Sequence, residues 1–217
     1  NGSSWTEVGE VNTARIELAG SGSDNTLGLI FGGFSSPPDT FHALTESWDG
    51  SSWTEVADMS SGRQAIGGSS VTGISSALVA AGYTGTAYVA STEEWTTTPS
   101  ETFTKQVDGQ LYFNSTSNAF KITEFDIPGA SWSSGGAMNT ARDSIGGAGT
   151  KTAGLAIGGY TGTAKSALTE AYDGSSWTET GDLPTATSHN AGCGIQTAAL
   201  SAGGEAPGRT NAVYEFG

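Results

Sequence analysis

Few side chains in this sequence could carry out a reaction. The two imidazoles, His42 and His189, and the single thiol, Cys193, are far apart along the chain. No cysteine or carboxylate cluster stands beside them at ligand spacing, so a zinc or copper centre is not expected, nor is any other cofactor. Glycoside hydrolysis needs two carboxyl groups about 5–10 Å apart, one with a raised pKa. Glu93-Glu94 is the single adjacent acidic pair, and neighbouring residues of a strand point to opposite faces. No catalytic residue is assigned, and the chain is read as a non-enzyme.

Other patterns suit binding or structure better. Arg15, Arg63 and Arg142 each follow Ala or Gly in an equivalent turn, with Ser188-His189 in the fourth place. A cationic ring for an anionic ligand is conceivable there, but guanidinium forks that tie loops to carboxylates or carbonyls fit the repeat spacing better. The recurring Glu46, Glu93, Glu124, Glu170 and Glu215 read as strand-end acceptors for a neighbouring unit rather than as a functional ring. Cys193 stands where the previous unit has Ala148, the place of a small buried hydrophobe. Asp49-Gly50 and Asp173-Gly174 are hairpin turns with two left-handed residues, not calcium loops, since no Asp-x-Asp-x-Asp-Gly run exists. Gly146-Gly147-Ala148-Gly149 lacks the Lys-Ser/Thr of a phosphate cradle. Asn1-Gly2-Ser3 and Asn114-Ser115-Thr116 fit the glycosylation sequon, which matters only in a eukaryotic secretory setting. The residues best suited to a ligand are Tyr83, Tyr88 and Tyr160, whose rings could stack on sugar faces; their competing role is packing between neighbouring sheets.

Charge narrows the partners. A formal net charge of −14 with eight Lys plus Arg repels a phosphate backbone, so nucleic acid is not an expected partner. No apolar run approaches the roughly 18 residues of a membrane-spanning helix, and no charged-then-apolar leader opens the chain, so membrane insertion is not expected. The sequence does not begin with Met, which is consistent with a processed or excised chain. One Cys excludes an internal disulfide framework. With 35% hydrophobic residues, six Trp and 14% charge, the chain has enough buryable surface to fold.

The elements that must position these residues follow from repetition. Gly-Ser-Ser-Trp-Thr-Glu occurs at Gly2–Glu7, Gly50–Glu55 and Gly174–Glu179, with a weaker copy at Gly129–Trp132. Thr-Glu-x-aromatic precedes it at Thr45–Trp48, Thr92–Trp95 and Thr169–Tyr172. Small-Gly pairs at Gly32-Gly33, Ala81-Gly82, Gly158-Gly159 and Gly203-Gly204 follow apolar runs. The Glu positions recur at steps of about 45 to 48 residues, with one step of about 31. In the last full unit, strands are expected near 144–149, 153–157, 167–172 and 176–180, and no helix is expected. Four short strands per unit, repeated radially, make a β-propeller, with the Gly pairs at the crowded axis and the Trp between sheets. One all-β domain over 1–217 is expected. Residues 104–128 form either a shortened third blade or an inserted hairpin. Five blades are favoured over four, because outer-strand aromatics can be counted at Trp5, Trp53, Phe103, Trp132 and Trp177. The N-terminal strand around Trp5 should pair with the C-terminal strand around Tyr214 and close the wheel.

An apolar run, a double Gly, an aromatic residue and then a Trp, as in Gly158-Gly159, Tyr172 and Trp177 or Gly32-Gly33, Trp48 and Trp53, resembles the kelch repeat. That resemblance implies a kelch-type β-propeller over most of the chain. Departures are Ala81 for one Gly and the absence of a double Gly in the short unit. The wording at Asp173–Glu179, Asn139–Arg142 and Gly158–Thr163 is similar to kelch-like structural proteins of marine tailed bacteriophages, and Asp108–Thr116 is similar to a short motif of phage tail and fibre proteins. These resemblances imply a virion-associated or extracellular structural and adhesion module. Its partners would be a host-surface glycan or other virion proteins, contacted through the loops 34–41, 83–88, 160–165 and 205–210. The alternative is a secreted or surface scaffold that assembles with its own copies into filaments or rings.

Overall fold

In a computed structural model, residues 4–68, 74–97, 111–114, 119–122 and 130–217 are described, and they contain strands and no helix. Blade one is the antiparallel sheet β1 (Ala19–Asp24), β2 (Leu27–Phe31), β5 (Thr45–Trp48) and β6 (Trp53–Glu55). A small hairpin, β3 (Phe34–Ser35) and β4 (Thr40–Phe41), stands on its β2–β5 loop. Blade two is β7 (Gly67–Gly68), β8 (Ser76–Ala80), β9 (Thr92–Thr96) and β12 (Ser131–Ser134). The hairpin β10 (Leu111–Asn114) and β11 (Ala119–Ile122) interrupts the chain between β9 and β12. Blade three is β13 (Gly146–Thr150), β14 (Ala153–Ile157), β15 (Thr169–Tyr172) and β16 (Trp177–Glu179), close to the strands expected from sequence. Blade four has three strands, β17 (Ala191–Ile195), β18 (Ala198–Ala202) and β19 (Val213–Phe216).

The described residues thus make four blades, not five. Trp132, expected from sequence in a separate blade, pairs with Trp95 just as Trp53 pairs with Trp48 and Trp177 with Tyr172. It is the outer-strand residue of blade two. The irregular step of about 31 residues therefore measures an insertion inside one sheet, of which β10 and β11 are the described part. Phe103, Glu124, Asn1–Ser3 and Ser115-Thr116 lie outside the described residues.

Alternation along the strands builds the contacts between blades, because residues two apart share a face. Leu29 and Phe31 of blade one meet Ala77, Val79 and Trp95 of blade two in one buried cluster. Leu78 and Ala80 then meet Ala156, Tyr172 and Trp177 of blade three, and Leu155 and Ile157 meet Ala199 and Phe216 of blade four. Two of the outer-strand tryptophans also reach back one blade. Trp132 Nε1 donates to Thr45 Oγ1 at 3.0 Å, and Trp177 Nε1 to Thr92 Oγ1 at 3.1 Å.

The expectation that the double glycines serve the axis is corrected. They lie just past the second strand of each blade, with left-handed φ of 65° at Gly158 and 109° at Gly159. Close approach at the axis falls to single glycines of the inner strands. A Cβ on Gly147 would sit 2.5 Å from Gly68 O, and one on Gly192 2.6 Å from Gly147 O.

The arginine turns are structural ties. Arg15, Arg63 and Arg142 form buried ion pairs with Glu46, Glu93 and Glu170, the last at 2.8 Å. The same carboxylates accept the backbone N–H of Asn12, Ser60 and Asn139. The donors come from the connector that enters each blade, not from a neighbouring sheet. Burial pushes the Glu46 carboxyl up, but its hydrogen bonds from Arg15 and Asn12 outweigh that and leave it below the usual range.

Register corrects the fourth copy. Tyr214 opposes Ser201 as Glu170 opposes Ala156, so Tyr214 and not Glu215 holds the Glu place. The isolated bridge Ser188↔Glu205 matches Asp143↔Tyr160, so Thr187 and not His189 holds the Arg place. Blade four lacks the ion pair.

Two turns and one thiol also differ from expectation. In Asp49–Ser52 and Asp173–Ser176 only the glycines have positive φ, 94° at Gly50 and 96° at Gly174. The aspartate instead caps the loop. Asp173 Oδ1 accepts the N–H of Ser175 and Ser176 at 2.9 and 2.8 Å, which holds its carboxyl at about 2, and Asp49 does the same in blade one. Cys193 opposes Leu200 as Ala148 opposes Leu155, so its expected place is right, but it is exposed. Among the described residues no further blade covers that face of blade four.

Closure by the chain ends is not seen. Trp5 is 103% exposed, residues 4–8 form no strand, and β19 is an edge. The root of the segment is held on blade one by Trp53 Nε1, which donates to Gly9 O at 3.2 Å. Inner strands adjoin in the order β1, β7, β13, β17, whereas β1 and β17 do not pack together as the successive pairs do. Among the described residues, no helix is long and apolar enough to cross a membrane.

Candidate functional site

The loops after each second strand gather on one rim of the structure. Short antiparallel bridges organise them, and residues directly opposite in such a bridge present side chains to the same face. Blade one contributes Ile16, Phe34 and Phe41; blade two contributes Gln64, Tyr83 and Tyr88. Blade three contributes Asp143, Tyr160 and Lys165; blade four contributes Ser188, Glu205 and Arg209. These rows run from aromatic at blade one to charged at blade four.

The structure brings the three candidate tyrosines together. Ring centroids of Tyr83 and Tyr88 are 4.9 Å apart, and Tyr88 meets Tyr160 edge-on at 5.9 Å. Phe41 extends the series, 5.8 Å from Tyr83 and 5.0 Å from Phe34. Lys165 Nζ continues it to Glu205 Oε2 at 3.4 Å. The rings are half-buried. Their packing role is therefore real, and a partly exposed aromatic ridge remains across three blades.

Glycine makes the close stacking possible. A Cβ on Gly85 (φ 92°) would lie 2.6 Å from the Phe41 ring, and one on Gly162 (φ 90°) 2.6 Å from the Tyr88 ring. Each Tyr-Thr-Gly-Thr hairpin thus rests on an aromatic ring of the blade before it. Tyr83 and Tyr160 each donate their hydroxyl to the carbonyl of their own loop glycine, at 2.8 and 3.1 Å. Tyr88 is different. Its phenol is pushed up by burial and then by the nearby Asp143, Tyr160 and Tyr83.

Inside the ridge, four turn residues share a left-handed backbone, with φ of 56° at Glu17, 53° at Ala65, 52° at Ser144 and 57° at His189. Ala65 donates its N–H to Glu17 O, Ser144 to Ala65 O, and His189 to Ser144 O, at 2.8–3.0 Å. This staircase of amide bonds holds the columns in register.

Two acceptors beside it, Gln64 Oε1 and Asp143 Oδ1, are buried and have no partner among the described residues. They come from equivalent positions of adjacent blades. Burial pushes the Asp143 carboxyl up; Ser144 and His189 pull it down, and Glu17 adds to the rise. His189 lies 3.2 Å from Ser144 Oγ through Nε2 and 3.2 Å from Ser188 Oγ through Nδ1. A serine–histidine nucleophile needs a carboxylate on the far nitrogen, and here that nitrogen faces a hydroxyl. Among the described residues no three His, Cys, Asp or Glu are grouped to hold a metal.

Glu93 and Glu94 do face apart. Glu93 pairs with Arg63, while Glu94 accepts the Tyr172 hydroxyl at 2.7 Å and lies 3.4 Å from Lys151 Nζ. His42 bonds Ser35 Oγ at 2.8 Å, and burial followed by the charge of Arg15 pulls its imidazole down. Gln64 and Asp143 were not singled out from sequence. Their one signal was position, immediately after Arg63 and Arg142 in the repeat.

No family model matches the sequence, and no curated protein does. Among solved structures the chain is similar to that of YjhT, with a TM-score of 0.58 at 11% identity, over 86% of this chain and 62% of that one. The present chain therefore spans less than two thirds of YjhT. The likeness supports a β-propeller architecture and, at this identity, speaks of fold alone.

Proposed function

We propose that this protein is a non-enzymatic adhesion and structural module of a phage virion. In this reading it presents its loop rim to a host-surface glycan. The kelch-type character of its repeats rests on the order double Gly, aromatic, Trp, as in Gly158-Gly159, Tyr172 and Trp177, and the virion setting on the motif wording at Asp173–Glu179, Asn139–Arg142 and Gly158–Thr163. The observation that carries the binding reading is the ridge Phe41, Tyr83, Tyr88 and Tyr160 beside the unpartnered acceptors of Gln64 and Asp143. Aromatic faces suit the C–H faces of sugars, and acceptor oxygens call for a ligand that brings hydroxyl or ammonium donors. With Glu17, Asp143 and Glu205 around the rim and a net charge of −14, neutral or amino sugars fit better than acidic ones.

A glycan array with the native protein tests this. Binding to neutral or amino glycans is expected, weakened about tenfold by Tyr88→Ala or Tyr160→Ala if each ring contributes about 1–1.5 kcal/mol. Absence of binding to any glycan, or labelling of the protein only at a subunit contact inside particles, would end the glycan reading.

A further inference from the structure

We infer that blade four is completed by the N-terminal segment of a second copy of this chain, so that copies join head to tail through an exchanged strand.

The sheet and the strand each lack the other. Blade four ends at β19, while Trp5-Thr6-Glu7 repeats the residues of β6 (Trp53–Glu55) and β16 (Trp177–Glu179), the outer strands of blades one and three. Spacing places the segment in the same role. Trp53 precedes Arg63 by ten residues, Trp132 precedes Arg142 by ten, and Trp177 precedes Thr187 by ten; Trp5 precedes Arg15 by ten. In the other three cases those ten residues run from the outer strand of one blade into the next blade. Residues 5–15 therefore read as the link from a blade placed before blade one.

A receiving site exists for the indole. Outer-strand Trp132 and Trp177 donate to Thr45 and Thr92, each the first residue of the third strand one blade back. Thr169 is the third member of that series. It lines a small open cleft with Ile157, Ala199, Tyr214 and Phe216, beside the free edge of β19. Transferring the β15–β16 register to this edge sets Trp5 opposite Phe216, Thr6 opposite Glu215 and Glu7 opposite Tyr214.

The neighbouring faces agree with this join. Leu155 is 3% exposed beneath blade four, whereas its equivalent Leu200 is 40% exposed, with Ile195 and Val213 bare beside it. The Thr place of β19 is held by Val213, which cannot accept an indole N–H. Blade one makes no such demand on a partner, since Trp53 gives its N–H to Gly9 O. Blade one of an incoming copy can thus cover the bare face of blade four while its Trp5 enters the cleft.

A second copy is the better donor because nothing need be rebuilt. Within one chain, β1 would have to be brought against β17, against which it does not pack as the successive inner strands pack, and the root of the segment is held on blade one through Gly9 and Asn12. Between copies, each protomer keeps the arrangement it has.

Two measurements test the inference on the whole chain. Sedimentation should show concentration-dependent association, weakened at least tenfold in Trp5→Ala, whose side chain is fully solvent-exposed in the single chain. In a Cys193→Ser background, Thr6→Cys with Glu215→Cys should oxidise to covalent dimers and longer species on non-reducing gels. An intrachain disulfide in a monomeric product would overturn the inference in favour of self-closure. A monomer at all concentrations with no disulfide would overturn it in favour of an unfilled edge.

Discussion

Removing one member of a buried tie should cost far more than its share of removing both. Arg142 and Glu170 are 0% and 1% exposed at their side chains and lie 2.8 Å apart. Arg142→Met leaves the Glu170 carboxylate buried with the N–H of Asn139 as its remaining donor. Glu170→Leu leaves a buried guanidinium that still donates to Leu168 O. Each single change should cost about 3–5 kcal/mol, the usual penalty for an uncompensated buried charge. For a chain of this length that corresponds to a melting-point drop of about 6–20 °C. The double variant removes both charges and strands the Asn139 N–H, at about 1–3 kcal/mol, while the Leu168 carbonyl keeps the N–H of Gly158. It should therefore lose about 1–3 kcal/mol in total rather than the 6–10 of a simple sum. Urea unfolding followed by Trp fluorescence, with calorimetry in parallel, measures all four corners of the cycle. Additive losses, or single losses below about 1 kcal/mol, would refute the reasoning that this pair is a desolvated tie.

Two further outcomes follow from the same geometry. Gly147→Ala should destabilise the chain by about 1–3 kcal/mol in chemical denaturation, because the added carbon meets the backbone of Gly68 at 2.5 Å and backbone cannot turn aside; a neutral result would mean the inner strands are not so closely set. Asp173 should titrate near 2 by carboxyl NMR, against an ordinary 3.8. Its folded-state value is depressed, so its stabilising effect is complete above about 3.8 and is lost as pH falls through about 2, and Asp173→Asn should remove that acid dependence.

How much was legible before folding differs from residue to residue. Strands of blade three were readable within about two residues, because Gly-rich turns and β-branched runs are local signals. The tie at Arg15, Arg63 and Arg142 was readable as structural, since a feature that recurs with the repeat serves the repeat. The chemistry of the rim was half legible. Tyr83, Tyr88 and Tyr160 announced themselves as loop aromatics, while Gln64 and Asp143 did not, because an unpaired acceptor is a property of surroundings and not of residue type. His189 and Glu215 were misplaced for a related reason. Blade four keeps the length of the repeat but shifts its polar residues, and cross-strand register alone reveals that Thr187 and Tyr214 hold the tie positions.

By itself the sequence determined that the chain is all-β, built of four-stranded units with Trp between sheets, because period, turn residues and alternation act over a few neighbours. Tertiary structure decided the number of blades, since whether Trp132 begins a unit or finishes one depends on its pairing with Trp95 across a long insertion. It also decided which glycines crowd the axis and which tyrosines meet, and it left Trp5 in solvent. Those outcomes depend on how sheets are set against each other, and that setting is a sum of contacts between residues far apart in the chain.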